Sequence, residues 1–290
     1  MSAFIKTHTR YRKKIAFFIG ILLFFTLVIL LNGEEEAVNQ TTVEITYIGN
    51  EGFLLAGDGK KVAIDSFFSG FKGSYMIPQK TRNLMVKARP PFDNIDLVLC
   101  THMHGDHADQ ELLGKYLKKD KKAVFLSTRE LVDDMPSMIY DFSKIKNRVR
   151  GIDLKEGESK VETFKGIRVE VIRLRHGKNM MLHFGFIIEI GNRKILHMGD
   201  SSGKPEVVVN ELKAYGFPGR RIDIAFIPYW YLMKSEYAKI IKQLIKAEHI
   251  IPMHVAVIGF GQTISGILDQ IKTHFPQAII FSKEMEKKTL

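Results

Sequence analysis

The residues of this chain most able to do chemistry crowd into one short run, His102-Met103-His104-Gly105-Asp106-His107, with three imidazoles and a carboxylate in six positions. Left in a core without partners, each of these groups would be costly to bury. Around divalent cations each gains a partner, because neutral imidazole nitrogen and carboxylate oxygen are both suitable ligands for zinc-like ions. The run follows residues 95–100, which are apolar apart from Asp96, as a strand buried on both faces should be. As that strand runs out, alternation sends His102 and His104 the same way and gives one metal two ligands. Gly105 then lets the backbone turn, so that Asp106 and His107 can reach a second metal.

The elements that must carry this run can be read on either side of it. Residues 43–48, 53–56 and 61–65 have the pattern of short strands joined by turns at 49–52 and 57–59. Residues 67–92 are punctuated by glycine and proline, with a short helix expected near 81–88. A helix over 109–117, capped by Asp109, follows the histidine run. Further strands are expected at 123–126, 166–174, 184–190, 194–197, 223–227, 249–252 and 278–281. Helices at 205–215, 234–246 and 264–274 interleave with the later ones. Strands first, then strand–helix alternation, suggest an α/β chain of two sheets covered by helices.

The histidine run matches the H-x-H-x-D-H motif of the metallo-β-lactamase fold, and the chain resembles that family over roughly residues 43–282. Tyr47-Ile48-Gly49-Asn50-Glu51-Gly52-Phe53 and Val62-Ala63-Ile64-Asp65 look like its opening strands. The resemblance implies a four-layer αββα sandwich and two divalent metal ions, zinc first with manganese or iron open, holding a water or hydroxide between them. It implies His102, His104 and His176 on one metal, Asp106, His107 and His254 on the other, and Asp200 bridging both. Asp106 and Asp200 are then the catalytic carboxylates, Asp106 also being a candidate for orienting the nucleophile or accepting its proton. Asp65 stands where the fold places a residue beneath the metals, although a strand-end aspartate is an equal reading. His183 is a candidate for the pocket. Tyr229 and Trp230, in Tyr229-Trp230-Tyr231-Leu232-Met233, either line an apolar pocket or pack against the sheets.

True β-lactamases of this superfamily generally carry a Cys where the bridging Asp200 stands, and Cys100 is the chain's single Cys. The motif order looks more like the branch of ascorbate-6-phosphate lactonase, uncharacterised metal-dependent hydrolases and N-acyl phosphatidylethanolamine-hydrolysing phospholipase D. That branch implies hydrolysis of an ester, lactone or phosphodiester in a small or lipid-like substrate. A phospholipid or nucleotide phosphodiesterase is the alternative, and a catalytically silent binding module of the same fold is a further one.

Apolar content of 45% and charged content of 26% describe an ordinary folded chain rather than a disordered one. Of the formal net charge of +11, five positive charges (Lys6, Arg10, Arg12, Lys13 and Lys14) precede the apolar run Ile15 to Leu31. That run sits near the lower limit of about 17 residues for a membrane-spanning helix. The expected organisation is a basic cytoplasmic leader at 1–14, a transmembrane signal anchor or signal peptide at 15–32, a linker at 33–42 and the hydrolase domain at 43–290. Positive charge before the run and Glu34, Glu35 and Glu36 after it place the domain outside the cytoplasm, tethered to the membrane or secreted after cleavage. No Arg-rich helix or aromatic–basic alternation suggests a nucleic-acid partner.

Overall fold

Side chains of the first strands alternate between two apolar cores, and this sets up the whole architecture. In the computed structural model, which describes residues 40–71, 75–177, 181–255 and 263–290, the chain opens with β1 (Glu44–Gly49), β2 (Gly52–Gly57) and β3 (Lys60–Ile64). A two-stranded ribbon of β4 (Gly70–Phe71) and β5 (Tyr75–Met76) leads to α1 (Gln79–Val86). Then come β6 (Leu97–Leu99), α2 (Gln110–Lys119), β7 (Val124–Thr128), α3 (Arg129–Met138) and β8 (Val149–Ile152). The second half begins with β9 (Ser159–Phe164), β10 (Ile167–Arg173), β11 (Phe184–Ile190) and β12 (Arg193–His197). It continues through α4 (Pro205–Ala214), β13 (Ile224–Pro228), α5 (Tyr229–Met233) and α6 (Ser235–Ile240). It ends with β14 (His249–Met253), α7 (Ile264–His274) and β15 (Lys287–Thr289).

One sheet has the strand order β15-β1-β2-β3-β6-β7-β8 and the other β14-β13-β12-β11-β10-β9. Phe53, Leu55, Val62, Ile64, Leu97, Leu99 and Leu126 of the first sheet join Val169, Ile172, Phe186 and Phe226 of the second in one apolar core. Their sequence neighbours Leu54, Ala63, Val98 and Phe125 point the other way, to a second core with Leu112, Leu113 and Tyr116 of α2 and Leu131 and Met135 of α3. Val208 and Leu212 of α4, Ala238 of α6 and Ile267 and Ile271 of α7 join the first core alongside the second sheet. The result is the α/β arrangement of two sheets with helical cover that the metallo-β-lactamase resemblance implies.

Pairing directions decide where a site can form. β3, β6, β7 and β8 are mutually parallel, as are β12, β13 and β14, and the antiparallel pairs β1–β2, β2–β3, β10–β11 and β11–β12 return β1 and β10 to the same senses. The segments carrying Asp65, the histidine run, His176, Asp200 and His254 all leave the carboxyl ends of strands, where α/β folds place their ligands. Asp109 caps α2 as expected, its side chain accepting the Leu112 amide at 2.9 Å.

Several local expectations change. The short helix runs over Gln79–Val86 rather than 81–88. The helix expected at 234–246 is α6 followed by a π-helical turn, Ile241–Ile245. The apolar stretch 278–281 is not a strand: Ile279 donates its amide to Ile250 O, and the edge of the first sheet is taken instead by the polar β15. The expected leader, the span at 15–32 and most of the linker lie outside the described residues. Among the described residues, no helix is long and apolar enough to cross a membrane.

The turn before β15 supplies a pH-sensitive element. Lys288 Nζ at 2.8 Å and the Ser282 amide at 2.7 Å hold the Glu286 carboxyl down from 4.5 to about 2. A carboxyl held low in the fold binds its proton less readily there than in the unfolded chain. Its stabilisation is therefore complete above 4.5 and is lost as the pH falls towards about 2. Glu286→Gln is expected to cost about 1 kcal/mol at neutral pH, most of the nominal gain being screened by solvent. Denaturant unfolding of both forms should show that difference vanish at the acid end of a pH series.

Candidate metal centre

β6 ends against the floor of the site, and its last turn is held by Asp65, which follows β3. Asp65 Oδ1 accepts the Thr101 amide at 2.8 Å, and Oδ2 accepts the Thr101 hydroxyl at 2.7 Å and faces His107 Nδ1 at 2.9 Å. Burial alone would raise the Asp65 carboxyl, but the charge of His107 and these hydrogen bonds hold it below the ordinary range. With Nδ1 engaged on a carboxylate, His107 turns its Nε2 inward, the arrangement that fixes a metal-binding imidazole in one tautomer.

Two groups of donors assemble above this floor. His102, His104, His176 and Asp200 bring one ligand atom each to within 4.8 Å of one another, and so do Asp106, His107, Asp200 and His254. In the first group, His102 Nε2 lies 2.8 Å from His104 Nδ1, and His104 Nδ1 lies 3.3 Å from His176 Nε2. In the second, His254 Nε2 lies 3.2 Å from Asp200 Oδ1 and 3.5 Å from Asp106 Oδ2. Asp200 Oδ2 is 3.4 Å from His107 Nε2 and 4.0 Å from His102 Nε2, so this one carboxylate faces both groups.

The donor set fits divalent ions. Among the described residues, His107 Nε2 and Asp200 Oδ1 are buried with ion-pair contacts but no well-formed hydrogen bond, and a cation between them would satisfy both. The histidines of the second group show what the carboxylates demand. Burial would lower His254, yet Asp200 and then Asp106 raise it to about 9, and His107 is likewise raised by Asp200 and Asp65 against its burial. Asp200, which burial would raise, is held well below its ordinary value by His254 and His107. In the first group burial and the neighbouring imidazole of His107 push His102 well below its ordinary value, leaving it the neutral ring a metal needs.

The other pocket candidates divide. His183 is wholly buried, its ring 5.1 Å from His102 and 5.2 Å from His176, so it packs behind those rings rather than lining an open pocket. Burial and then His176 lower it to about 3. Gly199 makes room for it, since a Cβ there would stand 2.5 Å from His183 Nε2 at a φ of +54°. Trp230, half-buried at the start of α5, meets His254 edge-on at 5.2 Å and donates its indole N–H to Ser201 O at 3.1 Å. Tyr229 stacks edge-on against it at 5.2 Å.

Two residues at the site carried no assignment in the sequence reading. Asn50 Nδ2 donates to Asp106 at both the backbone O (3.4 Å) and Oδ2 (3.3 Å). Glu51 is wholly buried with its Oε2 3.7 Å from His107 Nδ1, and burial and then Asp200 hold its carboxyl well above the ordinary range. The available signal was an acidic residue inside an otherwise glycine-bounded tight turn, Gly49-Asn50-Glu51-Gly52.

A two-sheet fold with seven such side chains at its carboxyl edge defines a class, and residues 44–254 match the model of the beta-lactamase superfamily domain. The chain belongs to that family. The UPF0173 metal-dependent hydrolase of Pyrococcus furiosus is 27% identical to it over 222 residues, 73% of this chain and 84% of the relative. The UPF0173 metal-dependent hydrolase YtkL of Bacillus subtilis is 24% identical over 226 residues, 73% of this chain and 85% of YtkL. Igni18, a metallo hydrolase of Ignicoccus hospitalis, superposes with a TM-score of 0.58 at 18% identity, over 86% of this chain and 99% of its own. At that identity the likeness speaks for the fold alone.

Proposed function

We propose that the chain is a metal-dependent hydrolase with two divalent ions, zinc first and manganese or iron as alternatives, cutting an ester, lactone or phosphodiester bond. The observation that carries this reading is the single carboxylate, Asp200, facing both donor groups. The names of the Pyrococcus and Bacillus relatives support hydrolysis, while the substrate is a matter for the pocket rather than the fold.

His102, His104 and His176 would hold one ion, Asp106, His107 and His254 the other, and Asp200 both. When bound, such ions supply a water that ionises near neutral pH and polarise the oxygen of an acyl or phosphoryl group. The chain's own residues do the rest. Asp65 keeps His107 in one tautomer and ring orientation. Asn50 holds Asp106 by its backbone O and Oδ2, so that the Asp106 carboxylate can orient the attacking water or take up its proton. Trp230 and Tyr229 offer an aromatic wall beside His254 for the apolar part of a small or lipid-like substrate. That wall is the feature favouring an amphiphile, with lactonase-like and phospholipase D-like chemistry as the two branches to separate.

The test is a panel of lactones, esters, thioesters and phosphodiesters offered to the purified chain, with His104→Ala beside it. Removing a ligand should cost more than the roughly 100-fold that losing an outer partner of a ligand can cost. Turnover that survives His104→Ala overturns the mechanism. We further propose, from the charge pattern around the apolar run at 15–31, that the domain lies outside the cytoplasm, tethered to the membrane or secreted after cleavage. A C-terminal reporter active only outside the cytoplasm should be active; an inactive reporter overturns the placement outside the cytoplasm.

A further inference from the structure

The turn joining β1 to β2 buries an acidic side chain for which the described residues provide no hydrogen-bond donor. Glu51 is wholly buried, and neither carboxylate oxygen accepts a hydrogen bond. Its ligand atom comes within 4.8 Å of those of Asp65 and His107, on the edge of the His107 ring that faces away from the second donor group. An unpartnered buried carboxyl either keeps its proton or needs a positive charge to offset its ionised form.

The chain holds Glu51 in place from several sides. His197 Nε2 lies 3.0 Å from the Glu51 carbonyl oxygen, and the preceding Asn50 carbonyl accepts the His254 amide at 3.1 Å. On the other flank a Cβ at Gly52 would stand 2.8 Å from Asp65 O, so the turn is pressed against the floor of the site. Four carboxylates thus converge there among the described residues, Glu51, Asp65, Asp106 and Asp200, and their ion-pair partners among those residues are histidines. With neutral imidazoles, the carboxylates are the negative charges that the protein itself sets against two divalent ions, and Glu51 is the fourth of them.

We propose that Glu51 is a positioning residue that supplies the fourth negative charge of the site. Acting through His107 and Asp200, it retains the ion held by Asp106, His107, Asp200 and His254. It is not itself one of the four donors of that ion. The inference rests on the two-ion reading above.

The experiment uses the full chain stripped of metal, wild type and Glu51→Gln, dialysed against buffered free Zn2+ with bound ion measured by elemental analysis. Gln preserves the shape and removes the charge. The wild type is expected to bind two ions. The variant is expected to bind one with wild-type affinity and the other about 10–100-fold more weakly. A second readout separates charge from architecture: the ion-free variant should unfold at or above the wild-type temperature, because it no longer buries an unpartnered carboxylate. A variant that takes up both ions as the wild type does, or an ion-free variant that unfolds below the wild type, overturns the assignment. A wild type that binds fewer than two ions overturns the two-ion reading itself, and the role of Glu51 with it.

Discussion

Asp200→Asn is expected to lower kcat/KM on any substrate the chain hydrolyses by at least about a thousandfold, some 4 kcal/mol of transition-state stabilisation. It should also bring bound metal down to one ion or none. The effect is large because the carboxylate is shared: Oδ2 faces His107 and His102, while Oδ1 faces His254. Asparagine keeps the shape but offers one neutral oxygen, and its NH2 group is a donor, useless as a ligand. Both donor groups then lose an anion in one substitution. Replacing His176 or His254 removes a ligand from one group only and should leave the other ion in place. Asp200 also pairs with His107 and His254 in the ion-free fold, so circular dichroism at the assay temperature is needed to show that the variant is folded. Unchanged metal content in folded Asp200→Asn protein would show that the two groups do not share this carboxylate.

The contrast between Asp200 and Glu51 shows which parts of the site sequence can reveal. The histidine run was legible because its ligands are near neighbours, and His176, Asp200 and His254 only through the family resemblance, which matches their order and their places after strands. The structure brings all seven together. Glu51 was not legible, since what makes it unusual is set by distant partners, His107, Asp200 and His197, none within 50 positions of it. In sequence it is one more polar residue in a turn. The elements that sequence left unassigned, and the one it misplaced, fail for a related reason. α3 contains Pro136, which breaks a helical pattern on paper, yet Thr128 caps its start by accepting the Leu131 amide at 3.2 Å and Leu131, Val132 and Met135 anchor it to the sheet. β9 and β15 are edge strands with charged, largely exposed residues, so no apolar alternation marks them. Residues 278–281 carry the apolar character of a strand but fill space beside β14 and the aromatic cluster of Tyr47, Phe53 and Phe281.

Removing the ions with a chelator should abolish activity and lower the unfolding temperature, by an amount that grows as the pH rises from about 6 to about 9. Bound ions stabilise a fold by about 4 kcal/mol per site at a thousandfold excess over Kd. The pH dependence comes from the groups that carry the ions' charge when they are gone. In the ion-free fold burial would lower His254, but Asp200 and Asp106 raise it from 6.5 to about 9. A base whose folded value is raised contributes stability that is complete below 6.5 and is lost as the pH passes about 9. Glu51 acts in the same sense: burial and Asp200 hold its carboxyl high, so ionising it at rising pH weakens the ion-free fold. Ions on the site reverse both demands, since they require His254 neutral and favour Glu51 ionised. The loaded protein should therefore keep its stability where the stripped protein loses it. Thermal unfolding across a pH series, with and without chelator, measures the gap. A gap that stays constant or narrows with rising pH would mean that the ions do not sit on the group formed by His254, His107 and Asp200.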